Sequence, residues 1–278
     1  MNLTNETEKL KSKGYTEDDA NARICQDIIL KGIAESGLSH SVTIKGGVVM
    51  RNISHNDRRA TQDADFDFIK YSISDDSIID FLKKIETAVN VEIEIKQPIL
   101  VLKHKDYQGK RVFITIRDIY GNELISKLDI GVHKDLDIKQ DEYCFDICFQ
   151  ENGVSLLMNS KEQILTEKLK SFLRFGTRST RYKDIFDICF LSDIVDIEKL
   201  KICIQQYIFN DESLHVFTYD DIAKRIERVF TNSTFKKNVE KSEKNWLNNT
   251  NEEVFKKNIK FKKQGYEFVQ KAVIIAIN

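Results

Sequence analysis

The spacing of hydrophobic residues predicts that the first third of the chain alternates between helices and strands. Isoleucines at positions 24, 28, 29 and 33 recur on one helical face, which predicts a helix that ends before Gly37. Thr16, followed by acidic residues, is a typical N-cap for that helix. The same patterns predict four further elements: a strand at 42–44, a helix that starts at Gly46-Gly47, a strand over 64–69 and an amphipathic helix over 75–89.

Residues 91–149 have a different pattern, typical of β-strands. Alternating or β-branched positions predict these strands: 91–95, 111–119, 124–132 and 143–149. From residue 160 onward the apolar spacing is helical again, and successive helical segments continue toward the end of the chain. The chain is therefore predicted to divide into an α/β domain over 1–155 and an all-helical domain over 156–278.

Composition narrows the class of protein further. The 278 residues suffice for two ordinary domains, and 41% hydrophobic with 31% charged residues is typical of globular proteins. The formal net charge of -1 gives no overall basic excess, so a nucleic-acid partner would need a local basic patch. No apolar run approaches the roughly 20 residues of a membrane span, and the start of the chain lacks the apolar core of a secretory signal. We therefore expect a cytoplasmic protein without a membrane partner.

The segment 44–68 carries the candidate chemistry. Asp63 and Asp65 are separated by one residue in a predicted strand, so their side chains point to the same side, roughly 7 Å apart. Two carboxylates on one face repel each other unless a cation neutralises them, and Mg²⁺ prefers one or two carboxylates together with phosphates and water. Gly46-Gly47 lies between a strand and a helix, where backbone amides can approach a phosphate closely.

Each feature of this segment has an ordinary structural alternative. The acidic pair could belong to a solvated edge strand or an acidic turn, and the two glycines could form a simple tight turn. The presence of both, with Arg59 and Thr61 between them, favours a metal and phosphate site.

These residues resemble the signature of the AbiEii/AbiGii toxin family, nucleotidyltransferases of the polymerase-β-like superfamily. The resemblance lies in three stretches: Lys45-Gly46-Gly47 followed by Arg59-x-Thr61-x-Asp63-x-Asp65-Phe66, then Glu167-Lys168-Leu169, then Arg181-Tyr-Lys-Asp184-Ile-Phe-Asp187. It implies an α+β (α/β) nucleotidyltransferase-like domain with a mixed β-sheet. An all-α helical bundle domain would follow and contribute a Lys and an Asp to the cleft. The helices after residue 195 match nothing in the signature.

The resemblance also implies a role for each matching residue. Asp63 and Asp65 would be ligands of Mg²⁺ (or Mn²⁺). Lys168 would contact the phosphates, and Asp184 would act at the nucleotide or behind the metal ligands. The residues expected to bind the nucleotide are Lys45, Gly46, Gly47, Arg59 and Thr61.

Two of these assignments keep ordinary alternatives. Lys168 could be a surface lysine on an amphipathic helix. Asp184 could pair with Arg181 or Lys183 without any contact to a substrate.

A third carboxylate usually completes such sites, and Asp129 is the best candidate for it. Asp129 lies in an apolar predicted strand, where burying a carboxylate without a cation is costly, so its side chain should face a site or solvent. Asp135, Asp137 and Asp146 are weaker candidates. The expected metal ligands are thus Asp63, Asp65 and Asp129.

By resemblance, the acceptor is RNA, at the 3′ end of tRNA, and the protein is the toxin of a bacterial toxin–antitoxin or phage-defence system with a cognate antitoxin protein. The sequence adds local support, because basic residues cluster on two predicted helices beside Phe172 and Phe175 and could contact a phosphate backbone. These basic residues are Lys161, Lys168, Lys170, Arg174, Arg178, Arg181 and Lys183. The alternative is a solvated helix face whose charges are paired with neighbouring acids.

Other functions remain open from the sequence. A nucleotidyltransferase of the antibiotic-modifying type would use the same residues with a small-molecule acceptor. A nucleotide-binding regulator would bind NTP without catalysis. If the acidic segment is only structural, the chain is an interaction protein, and replacing either Asp63 or Asp65 by Asn would leave the fold as stable or more stable.

Overall fold

The structure is a computed structural model that describes residues 1–55, 61–104, 107–135 and 137–247. It has two compact units, one over residues 1–159 and one from residue 160 onward. The first unit contains α1 (Leu3–Ser12), α2 (Glu17–Glu35), β1 (Val42–Lys45), α3 (Gly46–Ile53), β2 (Asp63–Phe68), α4 (Asp75–Val89), β3 (Glu92–Ile95), β4 (Leu100–His104), β5 (Tyr107–Arg117), β6 (Glu123–Val132), β7 (Asp141–Ile147) and β8 (Gln150–Met158).

The strands form one mixed sheet, as predicted. Its order is β3-β5-β6-β2-β1-β8-β7, with β4 paired to β5. Two neighbouring pairs are parallel, β2 with β6 and β1 with β8, and the other pairs are antiparallel. The strand with the acidic pair, β2, therefore lies inside the sheet between β1 and β6, and the alternative of a solvated edge strand is wrong.

The two faces of β2 have different chemistry because alternate residues of a strand point to opposite sides. Phe66 and Phe68 are buried, with ring centroids 5.5 and 5.0 Å from the ring of Phe81 on α4. α2 packs against α4, β6 and β8 and completes this apolar layer. The opposite face of β2 carries Asp63 and Asp65, so the packing of the phenylalanines holds these carboxylates on a rigid strand.

Three elements of this unit were not predicted. α1 and β4 are short, and their apolar residues are too few to give a clear period. β8 was not predicted as a separate strand. It runs beyond residue 155, the predicted end of the first domain, because its apolar positions end only at Met158, next to the Ser160 N-cap of the following helix. The border between the two compact units lies at 159/160.

The second unit is helical in its described part. It contains α5 (Lys161–Phe175), α6 (Tyr182–Ser192), α7 (Ile197–Ile204), α8 (Tyr219–Thr231) and α9 (Ser233–Leu247), with 3-10 and π turns between them. An aromatic cluster joins α5, α8 and α9, since the ring centroids of Phe172, Phe230 and Phe235 lie 5.7 to 6.3 Å apart. The predicted domain continues through residues 248–278, which lie outside the described residues.

Within the described ranges, no helix has both the length and the apolar character required to cross a membrane.

Candidate active site

A row of carboxylates lies across the middle of the sheet. Asp65 on β2 is the register partner of Asp129 on the parallel strand β6, and of Lys45 on the antiparallel strand β1. Register partners of adjacent strands carry their side chains on the same face. Asp63, Asp65, Asp67 and Asp129 therefore share the face opposite the phenylalanines, and three residues predicted as metal ligands from separate parts of the sequence are brought together.

Basic side chains on the same face are paired with these acids. The Nζ atom of Lys127 lies 2.8 Å from Oδ1 of Asp63. Arg111 on β5 donates from Nε and Nη2 to the two carboxylate oxygens of Asp129, each at 2.7 Å. The hydrogen bonds to Asp129 raise the pKa of the Arg111 guanidinium, and the charges of Asp63 and Asp65 contribute in the same direction. Arg111 is therefore within electrostatic reach of all three acids.

Neither of these basic residues was predicted from the sequence to belong to the site. Lys127 precedes Asp129 by two positions, so strand periodicity alone would have placed it on the same face. The position of Arg111 in the site follows only from the pairing of β5 with β6, in which Arg111 is the register partner of Asp129.

Lys45 was predicted to bind nucleotide, and the structure places it beside a fourth acid. Its Nζ atom lies 2.6 Å from Oδ1 of Asp67, which is only 3% exposed. A buried carboxylate requires such a partner, because desolvation otherwise disfavours its charge. Lys45 thus connects β1 with β2 through Asp67, two residues after Asp65.

The two glycines begin α3 directly beside the acidic row. Gly46 has φ +68°, and a Cβ atom there would collide with Oδ2 of Asp65. At Gly47 a Cβ atom would lie 2.5 Å from Cβ and Oγ1 of Thr61, which precedes β2 by two residues. Lys45, the N-cap of α3, makes no side-chain capping bond. The first turn of α3 therefore presents backbone amides next to the carboxylates, where an anion is favoured by the helix dipole.

The side chains as they stand do not form a metal cage. Across the described ranges, no three His, Cys, Asp or Glu side chains are grouped so as to hold a metal ion. Asp63 and Asp129 instead hold Lys127 and Arg111. Arg59, predicted to support the nucleotide, lies outside the described residues, together with the rest of 56–60.

In the second unit, Lys168 on α5 bridges two carboxylates of α6. Its Nζ atom lies 2.7 Å from Oδ1 of Asp184 and 2.7 Å from Oδ2 of Asp187. The Lys168 side chain is 12% exposed and that of Asp187 is 0% exposed, so Lys168 is not a surface lysine. Oδ2 of Asp184 is buried without a hydrogen-bond partner. Asp187 belongs to the quoted signature, but no role was predicted for it.

The remaining candidates are less concentrated. Asp135 and Asp137 follow β6 in the chain. Asp146 lies on β7, which is separated from β6 by β2, β1 and β8 in the sheet. Part of the predicted basic face is internally neutralised, because Lys170 and Arg174 both pair with Asp211, at 2.7 and 2.9 Å. Arg178 and Arg181 are exposed.

The chain was compared with curated proteins, solved structures and protein-family models. No curated protein matches the chain. One similar solved structure is an antigenic nucleotidyltransferase-like protein from Paracoccidioides brasiliensis, with 15% sequence identity and a TM-score of 0.40; the match covers 75% of this chain and 98% of that chain. A TM-score this low carries no weight for assigning the fold.

A family model described as nucleotidyl transferase AbiEii toxin of type IV toxin–antitoxin systems matches residues 28–262. This range contains the glycine turn, the acidic row and Lys168 with its two carboxylate partners, and it spans well over half of the chain. The chain therefore belongs to the AbiEii family of nucleotidyl transferase toxins.

Proposed function

We propose that the protein transfers a nucleoside monophosphate from an NTP to a hydroxyl group of RNA, at the 3′ end of tRNA, with Mg²⁺ (or Mn²⁺) as cofactor. Membership of the family implies a nucleotide substrate and an antitoxin partner. The observation that carries the proposal for this chain is the register pairing of Asp65 with Asp129, on one sheet face and directly against the Gly46 turn.

The side chains fit a hard divalent cation. Asp63, Asp65 and Asp129 supply only carboxylate oxygens, the donors that Mg²⁺ and Mn²⁺ prefer. Adjacent strands lie about 4.8 Å apart, and i and i+2 positions about 7 Å apart, so short side-chain rotations would bring the three carboxylates to shared ions. The basic partners Lys127 and Arg111 are found where positive charge is required. When bound, the metal would polarise the α-phosphate and lower the pKa of the attacking hydroxyl.

The chain's own groups would then bind and orient the triphosphate. The backbone amides at the start of α3, where the Lys45 side chain makes no capping bond, would hold phosphate oxygens, and the two glycines let Asp65 and Thr61 pack directly against this turn. Asp129 would accept the proton of the acceptor hydroxyl as its oxygen attacks the α-phosphorus and the bond to the β-phosphate breaks. Pyrophosphate would leave with the charge stabilised by these amides. Thr61 would hold Gly47 in place.

The second unit would contribute a cation to the phosphates through Lys168. That role rests on the family signature. Within its own unit the Nζ atom of Lys168 is held between the carboxylates of Asp184 and Asp187. Asp184 would therefore act as a positioning residue for Lys168.

The RNA acceptor is supported by the family signature and by exposed basic residues such as Arg178 and Arg181. Purified protein would be incubated with each of the four α-labelled NTPs, total RNA and Mg²⁺, and the RNA 3′ ends would be sequenced. Addition of nucleotides that is lost with EDTA and in Asp63→Ala, but kept in the exposed control Asp76→Asn, would support the proposal. Label on a small molecule, or on no acceptor, would replace it by one of the alternative functions.

A further inference from the structure

A buried glutamine of α2 contacts the chain segment that leads into the acidic strand. Gln26 is only 1% exposed. Its Nε2 atom donates to the carbonyl oxygen of Thr61 at 2.7 Å and to that of Asp63 at 3.3 Å. These carbonyls belong to the first metal-binding residue of the proposed site and to the residue that packs on Gly47. One side-chain amide thus fixes the backbone at the start of β2.

An arginine of the glycine helix sets the orientation of this amide. Arg51 on α3 donates from Nη1 to Oε1 of Gln26 at 2.5 Å, which turns the amide nitrogen toward the two carbonyls. Nη2 of Arg51 donates to Oδ1 of Asp27 at 3.1 Å. Asp27 is 0% exposed and also accepts from Arg23 at 2.6 Å and from the backbone nitrogen of Cys148 at 2.9 Å. Asp27 thus accepts hydrogen bonds from two arginines and a backbone amide, and Arg51 is fixed at both Nη atoms.

These contacts close a ring between the two catalytic elements. At one end of α3, Gly47 packs against Thr61. One turn further along α3, Arg51 contacts Gln26, and Gln26 returns to Thr61 and Asp63. The ring joins the helix start that would bind the triphosphate to the strand start that would bind the metal. Gln26 and Arg51, whose side chains make the hydrogen bonds of this ring, are 1% and 4% exposed, so neither side chain can contact a substrate.

We propose that Gln26 is a positioning residue of the active site, which fixes the distance between the first turn of α3 and the carboxylates of Asp63 and Asp65. This inference rests on the proposed function. Glutamine meets both requirements of the position, because one end of its amide accepts from Arg51 and the other end donates to carbonyls. Glutamate would keep the contact to Arg51 but direct a second acceptor oxygen at the two carbonyls, and methionine would make neither bond.

The test compares Gln26→Met and Gln26→Glu with a matched control, Gln140→Met. Gln140 also donates to a backbone carbonyl, that of Ile138 at 2.8 Å, and its Nε2 lies 2.7 Å from Nε2 of His133. It lies beside the far end of β2, where the backbone nitrogen of His133 donates to the carbonyl of Phe68. The control therefore loses the same type of bond in the same unit, away from the acidic row.

Nucleotide transfer to RNA and Mn²⁺ binding would both be measured, the second by electron paramagnetic resonance with Mn²⁺ alone. We expect kcat to fall by about 10- to 100-fold in Gln26→Met and Gln26→Glu, with a smaller change in KM for the NTP, because misplacement of reacting groups by about 1 Å has effects of this size. The Mn²⁺ dissociation constant should rise several-fold. Gln140→Met should keep the wild-type kcat and the wild-type Mn²⁺ dissociation constant.

Arg51→Lys provides an independent check. A lysine keeps the charge but cannot contact Gln26 and Asp27 together as the guanidinium fork does. We expect it to lower kcat, and the double variant with Gln26→Met to be no slower than the slower single variant, since Arg51 acts through Gln26. Independent, multiplying losses would contradict this order of contacts.

Thermal unfolding would show whether each Gln26 variant is folded, so that a fall in kcat can be assigned to lost positioning and not to lost structure. If kcat and Mn²⁺ affinity of the Gln26 variants match those of Gln140→Met, the positioning role is wrong. If wild type transfers nucleotides to no acceptor, the proposed function fails. The Mn²⁺ comparison still decides on Gln26 in that case, because it needs no acceptor. Should Gln26→Met not fold, Gln26→Glu, which keeps the side-chain volume and the Arg51 contact, decides.

Discussion

Gly46 and Asp65 are so close that a Cβ atom on the glycine would lie only 2.3 Å from the Asp65 Oδ2 atom. Under the proposed function this close approach would place the carboxylate that holds the cation beside the helix start that holds the phosphates. Three structural features meet at this point: the sheet register that brings Asp129 beside Asp65, the positive φ of Gly46, and the lack of a side-chain cap on α3.

Gly46→Ala should therefore lose activity beyond its effect on folding. The φ of +68° alone costs about 1–2 kcal/mol for an alanine, and the collision displaces Asp65, so we expect a fall in kcat of about 100-fold. Gly37→Ala is the matched control, because Gly37 has φ +74° and nothing within 4 Å of the added Cβ. It should lose similar stability in urea unfolding and retain its kcat. Equal activity of the two variants would contradict the role of this contact.

Asp129→Asn should abolish transfer while the sheet remains folded. Metal and proton-accepting functions of such a carboxylate are worth several kcal/mol, so a fall in kcat of about 100-fold or more is expected. Asp129 is partly exposed and paired with Arg111 at the surface of the sheet, so the melting temperature should change little. Labelled-NTP incorporation and circular dichroism would be compared with Asp76→Asn, which lies on α4 and should behave as wild type. Full activity of Asp129→Asn would remove it from the site.

Arg111→Gln should bind Mn²⁺ more tightly than wild type. The guanidinium neutralises Asp129 and adds positive charge near Asp63 and Asp65, and a like charge opposes a second cation at the same place. We expect the Mn²⁺ dissociation constant to fall several-fold in calorimetric titration. Arg117→Gln is the control, since Arg117 lies on the same strand but pairs with Glu92 and Glu123. An unchanged or weaker Mn²⁺ affinity in Arg111→Gln would show that the metal binds elsewhere.

Lys168→Met should destabilise the second unit by about 3–5 kcal/mol, the usual cost of breaking a buried ion pair by removing one of its members. It would leave Asp184 and the fully buried Asp187 without this cation. Lys170→Met is the comparison, because its partner Asp211 keeps Arg174 at 2.9 Å and should remain compensated. Urea unfolding followed by circular dichroism measures the difference. Similar losses in both variants would mean that Lys168 is not essential to the α5–α6 pair.

Thiol labelling tests the packing around α2 and α7. Burial raises the pKa of Cys25 to about 12 and that of Cys203 to about 12, so at pH 7 both thiols are almost fully protonated and shielded. Cys144 is exposed. A maleimide at neutral pH should therefore modify Cys144 in the native protein and reach Cys25 and Cys203 only after unfolding, as mass spectrometry of peptides would show. Rapid labelling of Cys25 would contradict the position of α2.

Local patterns were sufficient to predict much of this protein. The alternation in β2 predicted one face for Asp63 and Asp65 and the other for Phe66, because side-chain direction in a strand depends only on sequence position. The glycine pair, the acidic pair of Asp63 and Asp65 and the later signature stretches led to the family, and the family was confirmed. The mixed sheet was also confirmed.

The tertiary structure decided which side chains meet. Arg111 joins the acidic row only because β5 pairs with β6 in one register, and a shift by one residue would turn it to the other face. In the sequence nothing distinguishes Gln26 from other residues of a helix. Its contact with the start of β2 exists only because α2 packs beside that strand. Hydrophobic period reports the direction of a side chain within its own element. Contacts between elements depend on register and packing, which residues far apart in the chain determine together.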